Sequence, residues 1–189
     1  MHKAVFLDRD GVINEVLSHR VKFVNHPKQL YLLEGVPEAI RAFNEVGFKV
    51  FIVTNQGGVG LGFMKESMLE KVHHHLKERL HEQGAMIDDI VYCPHKPQAG
   101  CPCRKPEAKM IEELAKKHHV SLQNSVMVGD REPDILAGKK AGVATVFIGK
   151  KKEDTAKADA VFSSLLEAAP WIIEESWKDE RLHNEGNSL

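Results

Sequence analysis

Short apolar runs that end in polar or glycine-containing segments recur along the chain. They lie within residues 4–7, 49–53, 89–92, 125–129, 144–148 and 160–162. An unbroken apolar run of this length suits a strand that is buried on both faces, as in a parallel sheet. The pattern therefore predicts six short strands.

Between these runs, apolar residues recur every three or four positions, which is the spacing of a helix with one buried face. Helices are predicted over residues 35–46, 65–83, 106–115, 133–142 and 165–172. Strands that alternate with helices through short connections indicate an α/β fold. We expect a doubly wound parallel sheet with right-handed crossovers and no large cap insert.

Four further segments complete the predicted organisation. Residues 21–24 are expected to form one strand of a hairpin that covers the end of the first strand, and residues 57–62 a flexible glycine-rich loop. The lysine-rich residues 150–157 are predicted to form a surface loop. We expect one domain over residues 1–176, followed by a polar, flexible tail over residues 177–189.

The charge balance narrows the classes of partner. The 189 residues include 26 basic and 27 acidic side chains, which give a formal net charge of −1. Such a balance gives no electrostatic reason to expect nucleic acid or a membrane surface. The first apolar run is too short for a signal peptide, and no stretch is long enough to cross a bilayer. We therefore expect a cytoplasmic monomer that acts on a small molecule.

Polar side chains follow three of the predicted strands where each strand ends. They are Asp8 and Asp10, Thr54 and Asn55, and Asp130 with Asp134. The carboxyl ends of parallel strands meet at one edge of the sheet, so these groups are expected to lie together. Carboxylates suit a hard divalent cation, most simply Mg²⁺, and Mg²⁺ in turn suits a phosphate substrate. Lys105 would add a positive charge for the same phosphate.

The three cysteines of the chain lie within eleven residues of one another. Cys93, His95, Cys101 and Cys103 together offer three thiolates and an imidazole, a usual set for structural Zn²⁺. Free or buried thiols beside a chance histidine are the alternative. A loop fixed by zinc would hold Arg104 and Lys105, which follow it directly, over the phosphate.

A second cluster, His73-His74-His75, lies within a predicted helix. Neighbouring helical residues point about 100° apart, so three in a row cannot bind one ion from one helix. We interpret this cluster as a solvated helix face.

The ordered set of these motifs resembles the haloacid dehalogenase (HAD) superfamily of phosphatases, which use an aspartate nucleophile. The set is Asp8-x-Asp10-Gly11, Thr54, Lys105, and Gly129-Asp130 with Asp134. The resemblance implies that Asp8 takes up the phosphoryl group and that Asp10 acts as general acid and then as general base. It also implies Mg²⁺ on Asp8, on the backbone carbonyl of Asp10 and on Asp130, with Asp134 supporting this site. Thr54 and Lys105 would hold the transferred phosphoryl group.

The cysteine loop narrows the resemblance to one subgroup. This subgroup contains phosphatases of D-glycero-D-manno-heptose 1,7-bisphosphate and of histidinol phosphate. Asn14 and the pair Asn55-Gln56 are similar to the heptose enzymes, whereas the five-residue gap between His95 and Cys101 is similar to the histidinol enzymes. A chain without an attached dehydratase domain favours the 7-phosphate of the sugar bisphosphate as substrate.

We predict five substrate contacts in the loops around this site, from Arg9, Asn14, Asn55, Gln56 and Arg104. Histidinol phosphate stays open as the alternative substrate. A receiver-like signalling domain, which keeps the phosphoryl group on an aspartate, is the alternative from a different class. Such a domain does not require the second carboxylate at Asp10.

Overall fold

The computed structural model describes residues 1–149, 157–175 and 178. Within this part of the chain, six parallel strands form one sheet in the order β3-β2-β1-β4-β5-β6. The strands are β1 (Ala4–Leu7), β2 (Lys49–Asn55), β3 (Asp89–Cys93), β4 (Val126–Gly129), β5 (Ala144–Ile148) and β6 (Ala160–Phe162). Every pairing is parallel, so the predicted sheet is confirmed. Apart from Lys157 and Lys178, the predicted surface loop over residues 150–157 and the polar tail over residues 177–189 lie outside the described residues.

Six helices are described, and the longer ones cover both faces of the sheet. They are α1 (Val36–Glu45), α2 (Gly57–Gly60), α3 (Glu66–His81), α4 (Lys109–Lys117), α5 (Glu132–Ala141) and α6 (Leu165–Ile173). Within β1, Val5 and Leu7 pack in the core formed with α1, α3 and α6, whereas Ala4 and Phe6 pack in the core formed with α4 and α5. Because successive strand residues point to opposite faces, an unbroken apolar run is what this doubly wound sheet requires.

The strand order reverses between β1 and β4, which pair through residues 5–7 and 126–128. Parallel sheets bind their ligands in the crevice outside the carboxyl ends of the strands at such a point. Asp8 directly follows β1, and Asp130 directly follows β4. The topology therefore brings both carboxylates to one edge of the sheet.

Residues 21–24 do not form the predicted strand. Val21 and Val24 are both buried, while Lys22 and Phe23 between them are exposed. A strand alternates its side chains every two residues, so two positions three apart cannot face the same side of one. The segment instead follows a tight turn, in which the backbone N–H of Ser18 donates to the carbonyl of Val21 at 2.9 Å.

The glycine-rich segment was also predicted wrongly, because it begins with a short helix and not with a flexible loop. The backbone N–H groups of Gln56 and Gly60 donate to the carbonyls of Cys93 and Pro94, each at 2.8 Å. An added Cβ at Gly60 would lie 2.6 Å from the backbone nitrogen of Lys96. Glycine is therefore needed here for close contact with the cysteine loop, and this contact holds the segment in place.

The helix predicted from Pro106 begins later, at Lys109. A turn precedes it, in which the backbone N–H of Glu107 donates to the carbonyl of Arg104 at 2.9 Å. This turn directs Lys105 into the interior, where it is 3% exposed. No helix among the described residues has the length and apolar character needed to span a bilayer.

Candidate active site

Asp8 and Lys105 form a buried ion pair at the end of β1. The Nζ atom of Lys105 lies 2.8 Å from Oδ1 of Asp8 and 2.7 Å from Oδ1 of Asp134, and it also donates to the carbonyl of Val53 at 2.6 Å. Asn55 holds the lysine backbone from β2 through its side-chain amide, with distances of 3.0 and 3.1 Å. One ammonium group is therefore shared by two carboxylates in a site from which water is largely excluded, and it can balance only one of their charges.

Burial raises the pKa of Asp8 to about 7, against the opposing charge of Lys105. Burial and the charge of Asp134 likewise raise the pKa of Asp130 to about 6. Carboxylates with raised pKa values gain most from an additional cation, because the cation stabilises their charged forms.

The residues present fit a divalent cation. Carboxylate oxygens of Asp8, Asp130 and Asp134 lie within 4.8 Å of one another. Oδ1 of Asp130 is buried and has no hydrogen-bond partner. Both oxygens of Asp134 are already used, one by Lys105 and the other by the backbone N–H of Arg131 at 3.1 Å. This favours Asp8 and Asp130 as ligands of such a cation and Asp134 as their support, the arrangement that the resemblance implies.

Gly11 is required by the same cluster. Its φ of +84° lies in the left-handed region, and an added Cβ would lie 2.1 Å from Oδ2 of Asp130. The turn after Asp10 can therefore approach the carboxylates closely only with glycine at this position.

Asp10 lies in a different environment from Asp8. Its Oδ1 accepts hydrogen bonds from Arg9 at 3.0 Å and from Asn14 at 2.9 Å, and its Oδ2 accepts one from Gln56 at 3.2 Å. Burial raises the pKa of Asp10, but the charge of Arg9 and these hydrogen bonds outweigh it, so that the net shift is downward. The two neighbouring carboxylates thus lie in different electrostatic environments, and their pKa values shift in opposite directions.

The predicted substrate contacts are placed in two groups. Arg9 and Asn14 are fully buried and hydrogen-bonded to Asp10, and the side chain of Asn55 holds the backbone of Lys105. These three residues lie in positions that organise the site, and Arg9 and Asn55 also line the cavity above it. Gln56 and Arg104 line the cavity above it, although Gln56 also donates to Oγ1 of Thr54 at 2.8 Å. The hydroxyl proton of Thr54 is left free to donate to a phosphoryl oxygen.

The cysteine loop brings its four predicted ligands together. Sγ of Cys93 lies 3.5 Å from Nδ1 of His95, 3.5 Å from Sγ of Cys101 and 3.3 Å from Sγ of Cys103. All four ligand atoms lie within 4.8 Å of one another. Three sulfurs and one nitrogen at these separations could hold a metal ion, and they match the donor set usual for structural zinc. Lys105 follows the last ligand by two residues.

A cavity of about 590 Å³ opens above Asp8 and Asp10. Lys22, Arg104 and Arg131 contribute cationic side chains to its wall, and Phe23 and Phe63 contribute exposed rings. The cavity is large enough for a phosphorylated small molecule. The cationic side chains of its wall can attract a second negatively charged group of such a molecule, away from the phosphoryl group near Lys105.

The sequence interpretation of one residue was wrong. His73 was assigned to a solvated face with His74 and His75, but it is 6% exposed and its Nε2 lies 3.1 Å from Nη1 of Arg9. The helical spacing does separate it from its neighbours, since His74 is exposed. The apolar stripe of Leu69, Val72 and Leu76 was the signal that could have shown which face of the helix His73 shares.

Comparison with known proteins gives consistent results. The HAD-hydrolase-like family model matches residues 102–168. The D-glycero-beta-D-manno-heptose-1,7-bisphosphate 7-phosphatase of Haemophilus ducreyi is 36% identical over 90% of this chain and 98% of its own. The D-glycero-alpha-D-manno-heptose-1,7-bisphosphate 7-phosphatase of Photorhabdus laumondii is 32% identical over 91% of this chain and 97% of its own.

A solved structure agrees with these relatives. The D,D-heptose 1,7-bisphosphate phosphatase of B. bronchiseptica, complexed with magnesium and phosphate, superposes with a TM-score of 0.80 at 31% identity. The alignment covers 92% of this chain and 99% of that chain.

Proposed function

Because the chain belongs to the heptose-bisphosphate phosphatase family of the HAD hydrolases, we propose that it removes the 7-phosphate of D-glycero-D-manno-heptose 1,7-bisphosphate. The observation that carries the mechanism is the separation of two carboxylates, with Asp8 paired to Lys105 and Asp10 held by Arg9, Asn14 and Gln56. These environments support a nucleophile and a proton-transfer group in one site.

In the first step, an oxygen of Asp8 attacks phosphorus and the bond from phosphorus to the sugar oxygen breaks. Asp10 donates a proton to that oxygen, which leaves as the alcohol. Asp10 is ionised in the free site, but the negative phosphate raises its pKa on binding. Lys105 and the hydroxyl of Thr54 hold the charge that spreads over the phosphoryl oxygens.

In the second step, a water molecule attacks the phosphorus of the aspartyl phosphate on Asp8. The carboxylate of Asp10 takes a proton from this water, the bond between phosphorus and Asp8 breaks, and phosphate leaves. Asp8 and Asp130 would hold Mg²⁺, which when bound supplies positive charge to both the nucleophile and the phosphoryl group.

We infer that Cys93, His95, Cys101 and Cys103 bind Zn²⁺, whose role is structural. The glycine-rich helix α2 packs on the backbone of this loop, and the turn after Cys103 carries Lys105. A loop fixed by metal would therefore set the position of the phosphate-binding lysine.

The proposal is tested by measuring phosphate release with Mg²⁺ from both anomers of the heptose bisphosphate and from histidinol phosphate. ³¹P NMR identifies which sugar phosphate is lost. We expect loss of the 7-phosphate and at least hundredfold preference over histidinol phosphate, and the reverse preference would contradict the proposed substrate.

Asp10→Asn should lower kcat by about 10²–10⁴-fold, the usual contribution of a general acid and base. Glu113→Gln is the control, because Glu113 is an exposed carboxylate in α4 whose Oε1 lies 3.6 Å from Nζ of Lys109. A wild-type protein that keeps a long-lived aspartyl phosphate and releases none would instead be a signalling domain.

A further inference from the structure

Arg9 carries a buried positive charge with a specific set of partners. The side chain is fully buried, and its Nε and Nη2 atoms donate to the carboxylate of Asp10 at 3.0–3.2 Å. Its Nη1 atom faces away from the carboxylate and lies 3.1 Å from Nε2 of His73. The guanidinium group therefore bridges Asp10 and a histidine from helix α3.

The chemistry of arginine decides the state of His73. A guanidinium group has N–H donors and no acceptor, so Nε2 of His73 must accept and the ring proton must lie on Nδ1. A protonated ring would instead place two cations in contact. Consistently, burial and the charge of Arg9 lower the pKa of His73 to about 3.

A contact with strand β3 holds the side chain of His73 in place. Its ring packs on that of Tyr92 in β3, with 5.4 Å between the ring centroids. The hydroxyl of Tyr92 donates to Glu66 at 3.0 Å, and Glu66 lies two turns before His73 in α3. The tyrosine is thus held between two residues of one helix, and this arrangement fixes the position of the imidazole.

From this geometry we propose that His73 is a positioning residue for the proton transfer: it fixes the guanidinium of Arg9 and thereby the orientation of the Asp10 carboxyl group. A fork-shaped arginine binds a carboxylate in a defined plane only if the fork itself is held. Asn14 and Gln56 hold single oxygens of Asp10, whereas Arg9 contacts both. The inference rests on the proposed function, because Asp10 must protonate a leaving group for its orientation to affect turnover.

Two substrates with different leaving groups distinguish this positioning role from a general effect on the stability of the site. A sugar alkoxide requires protonation as it leaves, whereas p-nitrophenolate leaves readily without it. Because Asp10 also activates water in the second step, which both substrates share, the comparison uses kcat/KM, which reports only the steps up to departure of the leaving group. A misaligned Asp10 should therefore lower kcat/KM for the heptose bisphosphate and leave kcat/KM for p-nitrophenyl phosphate nearly unaffected. A variant with a generally loosened site would lose both activities in parallel.

The experiment compares His73→Leu and His73→Gln with His74→Leu, which alters the exposed neighbouring histidine. We expect His73→Leu to lower kcat/KM for the heptose bisphosphate by about 10–100-fold, within the range of general acid catalysis, with kcat/KM for p-nitrophenyl phosphate changed less than about threefold. His73→Gln should recover most of kcat/KM, because its side-chain oxygen can accept from Arg9. His74→Leu should behave as wild type.

Equal losses of kcat/KM on both substrates, or a glutamine variant no better than leucine, would overturn the role of His73. If the leucine variant does not fold, ¹⁵N NMR of the wild-type imidazole decides, since the inference requires the Nδ1–H tautomer and the Nε2–H tautomer excludes it. A wild-type protein that hydrolyses neither substrate would overturn the proposed function itself. That outcome is separate from an active wild type whose His73 variants are unchanged.

Discussion

Replacing Lys105 with methionine would remove the buried cation that holds two carboxylates of the site together. Its Nζ atom lies within 2.8 Å of both Asp8 and Asp134, and the residue is 3% exposed. Removing one partner of a buried ion pair costs about 3–5 kcal/mol, because the remaining charge is left unpaired. We expect Lys105→Met to lower the free energy of unfolding by this amount near neutral pH and to abolish turnover.

The loss of stability in Lys105→Met should also grow as pH rises above 7. Burial raises the pKa of Asp8 and Lys105 lowers it, to a net value of about 7, so removing Lys105 raises the pKa of Asp8 further. Above pH 7, the folded variant therefore keeps a proton that the wild type has released. Since the unfolded chain has released it too, the variant loses stability relative to the wild type as pH rises, by about 1.4 kcal/mol per pH unit.

Urea unfolding at pH 6, 7 and 8 without added Mg²⁺ measures both effects. Lys109→Met is the matched control, because Lys109 forms an exposed pair with Glu113 at 3.6 Å and should cost about 0–1 kcal/mol. The reasoning would be refuted if Lys105→Met lowered the free energy of unfolding by less than about 1 kcal/mol. It would also be refuted if the difference in stability between wild type and variant became smaller as pH rises.

Three further predictions concern the elements around this ion pair. Removal of zinc by a chelator should lower Tm and weaken phosphate inhibition together, as measured by thermal melts and by assays with added phosphate; full activity after verified zinc loss would contradict a positioning role for the loop. Because the pKa of His73 is lowered from 6.5 to about 3, the unfolded chain takes up a proton below pH 6.5 that the folded chain does not. Stability should therefore fall with acidification, and His73→Gln should flatten urea-derived stability curves between pH 6.5 and 5 by about 1.4 kcal/mol per pH unit; an unchanged slope would count against the buried neutral state. Gly60→Ala should cost about 1–3 kcal/mol in urea unfolding, because its Cβ would lie 2.6 Å from the backbone of Lys96, whereas Gly58→Ala has no atom nearer than 3.9 Å and serves as the control; equal losses would argue against the close contact.

The strands and the edge that carries the site could be predicted from the sequence because both depend on local patterns. An apolar run such as residues 4–7 requires burial on two faces, and only a sheet covered on both sides provides it. Asp8 and Asp130 follow from the same pattern, since parallel strands end at a common edge. The ordered motif set also predicted the family, which the comparisons confirm.

Features that depend on tertiary contacts could not be predicted in this way. The apolar stripe of α3 places His73 on the buried face, but the partner that it meets there is Arg9, which lies 64 residues away in sequence. The short helix from Gly57 to Gly60 contradicts the low helix propensity of glycine. It forms because the backbone of the cysteine loop supplies hydrogen bonds that are not visible in the local sequence.

Arg9 illustrates the same limit for function. An arginine between Asp8 and Asp10 suggests a substrate contact, and the sequence analysis predicted one. Its fully buried side chain is hydrogen-bonded to Asp10 and His73, contacts that the local sequence does not show. Burial at a strand end depends on which helix packs over it, here α3.

Strand β3 connects the two halves of the proposed mechanism through its last two residues. The ring of Tyr92 packs on His73, which contacts Arg9 and so bears on the general acid and base. The thiol of Cys93 belongs to the predicted zinc set, and the loop that leaves it returns as Lys105, the partner of the nucleophile. The carbonyl of Cys93 also accepts from the backbone of Gln56, whose side chain donates to Asp10. Asp8 and Asp10 are therefore both supported from β3, but by separate routes: Asp8 through the cysteine loop and Lys105, and Asp10 through His73 and Arg9. These separate contacts hold two carboxylates only two residues apart in different environments.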